Sequence, residues 1–309
     1  MLIKELLPQK PSEPIIYVNG ECLLESQAKI SVLDHGWMYG DGCFDAWCGK
    51  NGFIFQLDRH LERLYHSIFS LKIKYPMPYE VMREKIIETV HANALLDFYI
   101  KVLVSRGASP QPVMDPRQCK EPGVVIFARP TQTNLTLEKQ NSGIRIKVVS
   151  IRRTPHEDLD PQIKSMNYLT IILGKMEAVA CGFDEAVMLD HQGYVTECCG
   201  FNIFAIQGKK LFTASRGILK GITRHSVFLM AKDIGLEVEE GFYSMHDFIN
   251  ADEVFMTSTV GGVIPVSRID DWIIADGKPG PYTRKFSDTY QEWLESGAHG
   301  TQVYTEAWK

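Results

Sequence analysis

The sequence predicts a two-domain α/β protein, and three observations predict it. The chain has 309 residues, which suits two domains or one large one and leaves ample length for a core. Short apolar runs that read as strands alternate with stretches whose apolar residues recur at helical spacing. From Pro130 to Asn141 the composition changes to Thr, Gln and Asn, which reads as a connector. The expected division is a domain over 1–130, a connector over 131–142 and a second domain over 143–309.

The elements follow in order. Met1 to Pro14 reads as a loose leader. Ile15 to Val18 and Glu21 to Leu24 are strands joined by Asn19-Gly20, the residues a type I′ hairpin turn prefers. A glycine-punctuated segment from Asp34 to Gly42 leads into a strand from Cys43 to Cys48, and Gly49 to Gly52 turns into another from Phe53 to Gln56. Asp58 is a good N-cap for a helix carrying Leu61, Leu64, Ile68 and Leu71. A second helix runs from Tyr79 to Ala94. Phe98 to Ser105 and Val124 to Ala128 are buried strands, separated by a long proline-rich loop of the kind that usually carries function.

The second half opens with a strand from Ile144 to Ile151. A helix ends near Gly182, and strands follow at Glu185 to Leu189, Tyr194 to Glu197 and Asn202 to Ile206. Gly217 to Thr223 opens a helix to Ile234. Glu253 to Thr257 is a further strand, and a helix over about Tyr282 to Glu295 closes the domain.

Composition excludes several classes. The net charge of -5, without like-charge runs, argues against a nucleic-acid surface. No apolar stretch is long enough to span a bilayer, and the amino terminus lacks the pattern of a signal peptide. The seven cysteines show neither C-x-x-C pairs nor Cys/His metal spacing, so reduced thiols, a cytoplasmic location and no metal are expected.

Three features carry chemistry. Lys164 lies among Ile163, Met166, Leu169, Ile171, Ile172 and Leu173. A lysine drawn into apolar surroundings loses hydration and becomes a usable nucleophile and base, although a solvated lysine is the commoner case. Gly221-Ile222-Thr223-Arg224 at a helix start and Thr257 to Gly262 after a strand are natural anion cradles, unless they are a plain cap and a polar turn. Glu197, ending an apolar strand, could cap a turn or pair with a buried cation such as a protonated pyridine nitrogen. A nucleophilic lysine, two phosphate-type turns and a buried glutamate are together what pyridoxal phosphate requires.

From Ile15 to about Tyr290 the chain resembles the class IV, fold-type IV pyridoxal-phosphate transaminases. That group contains the branched-chain and D-amino-acid aminotransferases and the (R)-selective amine transaminases. The resemblance is carried by Tyr39-Gly40 with Phe44, His60-Leu61-Glu62-Arg63-Leu64 and Ile163-Lys164-Ser165-Met166-Asn167-Tyr168. It continues through Gly193 to Glu197, Gly200 to Phe204, Leu219 to Arg224 and Ser258 to Gly262, all in order. It implies a smaller N-terminal α/β domain, a larger C-terminal pseudo-barrel domain, and a homodimer or higher homo-oligomer whose pockets borrow a loop from the partner.

The resemblance also assigns roles. Lys164 is the Schiff-base lysine and proton shuttle, Glu197 the partner of the pyridine nitrogen, and Tyr168 the neighbour of the phenolic oxygen. Arg63, Ile222, Thr223 and Thr259 hold the phosphate, although Arg63 by its position alone reads as a solvated helix residue. Gly200, Phe201, Leu219 and Ser258 complete the cofactor set.

On the substrate side, Tyr39, Phe44 and Tyr99 stand where the branched-chain enzymes place aromatic walls, with Thr259 and Val260 nearby. Lys101 takes the place of their typical arginine, and is either a carboxylate contact or an outward-facing lysine. Ala46 and Cys48 replace a glycine and a basic residue. Ser105 to Pro110 is followed by Gln111, Pro112 and Val113, without the arginine and histidine of the D-amino-acid enzymes. Arg152 to Pro155 and Gly200 to Asn202 resemble the (R)-amine transaminases, some of which use a mobile loop arginine; Arg117 is the candidate, or else a solvated loop residue.

The expectation is a transaminase acting on a hydrophobic, branched-chain type amino acid and a 2-keto acid. An (R)-selective amine transaminase is the alternative, with a D-amino-acid transaminase or aminodeoxychorismate lyase behind it.

Overall fold

The computed structural model describes residues 6–131 and 137–305. The chain divides into two compact units: Met1–Gln132, Ile163–Asn167 and Trp293–Lys309 form the first, Thr133–Gln162 and Tyr168–Glu292 the second. Of the expected leader, residues 1–5 lie outside the described residues, and Leu6 and Leu7 pack against the first core.

In the first unit, β1 (Ile15–Val18) and β2 (Glu21–Leu24) form the expected hairpin. Asn19 and Gly20 both take positive φ, 49° and 106°, as this turn demands. There follow α1 (His35–Tyr39), β3 (Gly42–Lys50), β4 (Phe53–Phe55), α2 (Leu57–Ser70), α3 (Tyr79–Ala92), β5 (Phe98–Ser105) and β6 (Gly123–Pro130). With β16 (Gly300–Gln302) they make a seven-stranded sheet in the order β16-β4-β3-β5-β6-β1-β2.

Period-two alternation gives this sheet two different faces. Trp47, Ile100, Val102, Ile126 and Ala128 are buried with Leu61, Leu64 and Ile68 of α2 and Met82, Ile86 and Val90 of α3. Phe44, Ala46, Tyr99, Lys101 and Phe127 point the other way and are only partly covered. Register sets Phe44 opposite Leu103, Ala46 opposite Lys101, and Lys101 opposite Phe127.

One capping expectation is corrected. Gln56, at φ 51° and ψ 40°, is the N-cap of α2, and the helix starts at Leu57. Asp58 therefore sits inside the first turn, where a carboxylate still suits the helix dipole, and it pairs with Arg83 at 2.8 Å.

The second unit contains α4 (Leu137–Ser142), β7 (Ile144–Val148), α5 (Leu169–Ala180), β8 (Glu185–Leu189), β9 (Val195–Cys198), β10 (Phe201–Gln207) and β11 (Lys210–Ala214). It continues with α6 (Ile222–Asp233), β12 (Glu237–Gly241), α7 (Met245–Ile249), β13 (Glu253–Ser258), β14 (Gly262–Ile269), β15 (Trp272–Ile273) and α8 (Pro281–Ser296). Of the expected connector, residues 132–136 lie outside the described residues. The first strand stops at Val148, short of the expected Ile151.

The main path of this sheet is β12-β11-β10-β13-β14-β7-β8-β9, and β9 pairs back onto β10. That return closes a ring of six strands, a pseudo-barrel whose edges are largely satisfied. Ile144, Ile146, Val187, Ile203, Ala205, Val254, Met256, Ile264 and Val266 share its core.

Candidate active site

Lys164 belongs to the first unit and lies outside any helix or strand. Its carbonyl accepts from Phe44 N–H at 2.9 Å, Met166 N–H donates to the Gly42 carbonyl at 2.9 Å, and Ser165 bridges Cys43. Gly42 is required beside this segment, because a Cβ there would come within 2.8 Å of the Met166 sulfur and 2.6 Å of the Val104 carbonyl oxygen. The Lys164 backbone N–H donates to the Ser67 hydroxyl of α2 at 3.2 Å. The lysine is thus sewn to the start of β3 by main-chain bonds while its side chain remains half-buried.

Two ammonium groups share one aromatic ring here. Lys164 Nζ is 4.7 Å and Lys101 Nζ 4.3 Å from the centroid of Phe44. Burial, and then the charge on Lys164, pull the Lys101 ammonium below the ordinary lysine range. Among the described residues no carboxylate lies within ion-pair distance of Lys101. Tyr99 packs its ring against Phe127 at 6.4 Å, and Tyr39 sets its ring edge-on to His35 at 5.1 Å. Arg117 stands in solvent on the 106–122 loop, held by Asp115 at 2.6 Å.

Arg63 is largely covered, contrary to its reading as a solvated residue. It donates from Nε and Nη2 to the two oxygens of Asp45, each at 2.8 Å. Asp45 is fully buried and also meets His60 Nδ1 at 2.8 Å. Burial alone would push the Asp45 carboxyl up, but Arg63 and His60 outweigh it and hold it well below the usual carboxylate range.

The second unit holds Glu197, Tyr168 and the two turns. Glu197 is buried at the end of β9, and both of its carboxylate oxygens accept hydrogen bonds. Oε1 accepts from Arg153 Nη2 at 2.8 Å and Nε at 3.0 Å. Oε2 accepts from Leu219 N–H at 2.9 Å and Asn202 Nδ2 at 3.2 Å. Asn202 stands directly across from Glu197 because Cys199 and Gly200 turn the chain tightly, with Gly200 at φ 96° and Phe201 beginning β10. Tyr168 is the N-cap residue of α5 and packs half-buried against Ile171 and its neighbours.

Gly221 caps α6 without any side-chain cap, so the first N–H groups of that helix, at Ile222 and Thr223, are presented at its positive end. A side chain at 221 would strike Asn202, with Cβ 2.2 Å from Oδ1. Ser258 Oγ accepts from Gly261 N–H at 3.0 Å, shaping the turn that carries Thr259 and Val260. Tyr290 of α8 links the two turns: its hydroxyl donates to the Thr259 carbonyl at 3.1 Å and lies 3.5 Å from Thr223 Oγ1.

Arg153, Asn202, Asp45, His60 and Tyr290 were not singled out by residue type. Their importance arises from partners distant in the chain. The donor set suits pyridoxal phosphate: an amine against an aromatic face, a carboxylate with fixed orientation, and an uncapped helix N-terminus whose N–H groups favour an anion. Among the described residues no cluster of His, Cys, Asp and Glu could hold a metal ion.

Comparison with known proteins agrees. The family model for class IV amino-transferases matches residues 42–269. A putative branched-chain-amino-acid aminotransferase of Methanocaldococcus jannaschii is 40% identical over 297 residues, covering 94% of this chain and 99% of that protein. A D-alanine aminotransferase of Bacillus licheniformis is 29% identical, covering 91% and 97%. The crystal structure of the T.th branched-chain amino acid aminotransferase with pyridoxamine 5'-phosphate superposes with a TM-score of 0.90 at 33% identity, over 96% of this chain and all of that one. With a family model spanning most of its length, and with an amine, a fixed carboxylate and an anion cradle among its residues, the chain belongs to the class IV aminotransferases and is a pyridoxal-phosphate-dependent enzyme.

Proposed function

We propose that the protein transfers the amino group of a hydrophobic, branched-chain type L-amino acid to a 2-keto acid, with 2-oxoglutarate or pyruvate as acceptor. The observation that carries this reading is the half-buried sheet face on which Lys164 and Lys101 meet the ring of Phe44. Phe44, Leu103, Tyr99 and Phe127 offer an aliphatic side chain an apolar wall, and Lys101 offers a carboxylate a point charge. The names of the relatives favour this over an (R)-selective amine transaminase.

When bound, pyridoxal phosphate supplies an aldehyde that takes over the amino group and a ring that draws off the electron pair left at the α-carbon. Lys164 would hold the cofactor through its Nζ, and the same amine would carry the proton of the substrate α-carbon. Glu197, oriented by Arg153, Asn202 and the Leu219 N–H, accepts the pyridine N–H and so keeps the ring electron-poor. Tyr168 would neighbour the phenolic oxygen. The Ile222 and Thr223 N–H groups, the hydroxyls of Thr223, Ser258 and Thr259, and Arg63 hold the phosphate; Gly200, Phe201 and Leu219 line the ring, and Val260 the substrate.

The working form is a homodimer. Leu169, Ile172, Leu173, Met176 and Val179 are exposed along one stripe of α5, the kind of surface a second copy covers. The seven cysteines are all unpaired, which suits a reducing cytoplasm. No helix among the described residues is long and apolar enough to cross a membrane.

A donor screen tests the assignment. L-leucine, L-valine, D-alanine and (R)-1-phenylethylamine are each offered with 2-oxoglutarate and with pyruvate. Turnover of L-leucine is expected; activity on the aromatic amine with none on L-leucine would overturn the substrate. Lys164→Ala should remove both turnover and the visible absorbance that borohydride bleaches in the wild type.

A further inference from the structure

The first unit buries an ion pair and a histidine in a geometry that exceeds what folding needs. Asp45 and His60 are fully buried, and Arg63 is nearly so. The carboxylate receives the guanidinium as a fork, Nε to Oδ2 and Nη2 to Oδ1, both 2.8 Å. His60, three residues before Arg63 on the same helix, brings Nδ1 to 2.8 Å from Oδ1. Because an ionised carboxylate only accepts, that nitrogen carries the proton, and burial, working first, keeps the imidazole neutral. Its Nε2 is buried with no partner, so the ring is held by the carboxylate and by its packing 5.5 Å from Trp47.

Such an arrangement is a poor way to gain stability. Burying an ion pair sacrifices hydration that apolar side chains of the same volume would not. What it provides is direction. An arginine side chain is long and flexible, and two parallel N–H···O bonds remove most of its freedom. The alternation of β3 separates the tasks: Phe44 and Ala46 face the apolar wall, and Asp45 between them faces α2.

We propose that Asp45, supported by His60, is a positioning residue that fixes the Arg63 guanidinium so that it meets the cofactor phosphate already oriented. The proposal rests on the assignment of Arg63 to the phosphate. Preorganisation raises affinity by removing an ordering cost that the ligand would otherwise bear. The effect is confined to ligands that carry a phosphate.

The experiment titrates the apoenzyme with pyridoxal phosphate and with pyridoxal, which lacks the phosphate but retains the aldehyde. The quantity read is the ratio of the two dissociation constants. Asp45→Asn should lower the preference for the phosphate ester by roughly tenfold while leaving pyridoxal binding in place. Asp45→Glu, which restores a carboxylate fork, should recover most of the preference. His60→Asn keeps an N–H at the position of Nδ1 and should retain it; His60→Phe removes the N–H and should lose it in part. The His60 pair tests the idea even if Asp45→Asn fails to fold.

Wild-type preference in both Asp45→Asn and His60→Phe would overturn the proposal. So would a parallel loss of both ligands, the mark of a purely structural trio. A wild-type protein that binds both ligands equally would instead overturn the phosphate assignment of Arg63, and the proposal with it.

Discussion

Arg153 and Glu197, 44 positions apart in the chain, form a buried pair in which both Nη2 and Nε of the arginine reach one carboxylate oxygen, at 2.8 and 3.0 Å. The other oxygen is taken by the Leu219 N–H and the Asn202 amide. Glu197 is therefore fixed in position and balanced in charge by the fold itself.

Arg153→Met should leave that carboxylate buried without a counter-ion and lower stability by about 3 kcal/mol. Adding Glu197→Gln removes the orphaned charge and should recover part of the loss. Urea denaturation of the two variants beside the wild type measures both. Equal stability of the single variant and the wild type would mean that the pair contributes no net energy.

Gly221→Ala tests the N-terminus of α6. The added Cβ falls 2.2 Å from Asn202 Oδ1, so either the helix start or the asparagine must shift. Overpacking of this kind costs about 1–3 kcal/mol. The shift also moves the Ile222 and Thr223 N–H groups, so affinity for pyridoxal phosphate should fall along with the thermal midpoint. Calorimetry and a cofactor titration on the same sample check the two halves.

Lys101→Met should stabilise the protein at neutral pH, on the order of 1 kcal/mol, because it removes a desolvated ammonium without a carboxylate partner. The wild type carries the corresponding pH signature. Below the ordinary lysine value of 10.5 the unfolded chain keeps a proton that the folded chain releases, so stability rises with pH through that window. The variant should lack this rise. Denaturation curves taken from neutral pH up to 10.5 follow this rise, and the same variant should bind the substrate carboxylate less well.

His60 gives a handle of the same sign at acidic pH. Burial holds its pKa below the ordinary 6.5, so on descending from that value the unfolded chain takes up a proton that the folded imidazole refuses. Stability should fall as pH falls through this window, by up to about 1.4 kcal/mol per pH unit. His60→Asn should flatten that slope, leaving the later loss at lower pH when Asp45, held far below 3.8, is finally protonated. Denaturant midpoints taken from pH 7 down to about 2 separate the two phases.

What could be read from the chain was local. The hairpin at Asn19-Gly20 and the strands Phe98–Ser105 and Glu185–Leu189 coincide with their expected bounds because turn chemistry and apolar runs are written in adjacent residues. Asp58 misled by two residues because its helix begins after Gln56, a residue without capping preference held in the left-handed region. β12, Glu-Val-Glu-Glu-Gly, was invisible because it is a solvated edge with no apolar pattern, and β14 was hidden by Pro265.

The site divides the same way. Lys164 and Glu197 announced themselves by apolar neighbours and family motifs. Arg152 and Arg153 are adjacent and chemically identical, yet the first is exposed and the second is 9% exposed on Glu197. Only the closure of β8, β9 and β10 decides which of the two turns inward.

The segment carrying Lys164 counts with the first unit although the chain on either side of it counts with the second. Its amide bonds to Ser67, 97 positions earlier, and its carbonyl to Phe44. In kinetic terms, the Lys164 amine gains its place only after that long loop has closed. With Lys164 in its proposed role, a protein that has formed every helix and hairpin but not this crossing is nearly folded and inert. Recovery of activity after dilution from denaturant should therefore trail the recovery of secondary structure.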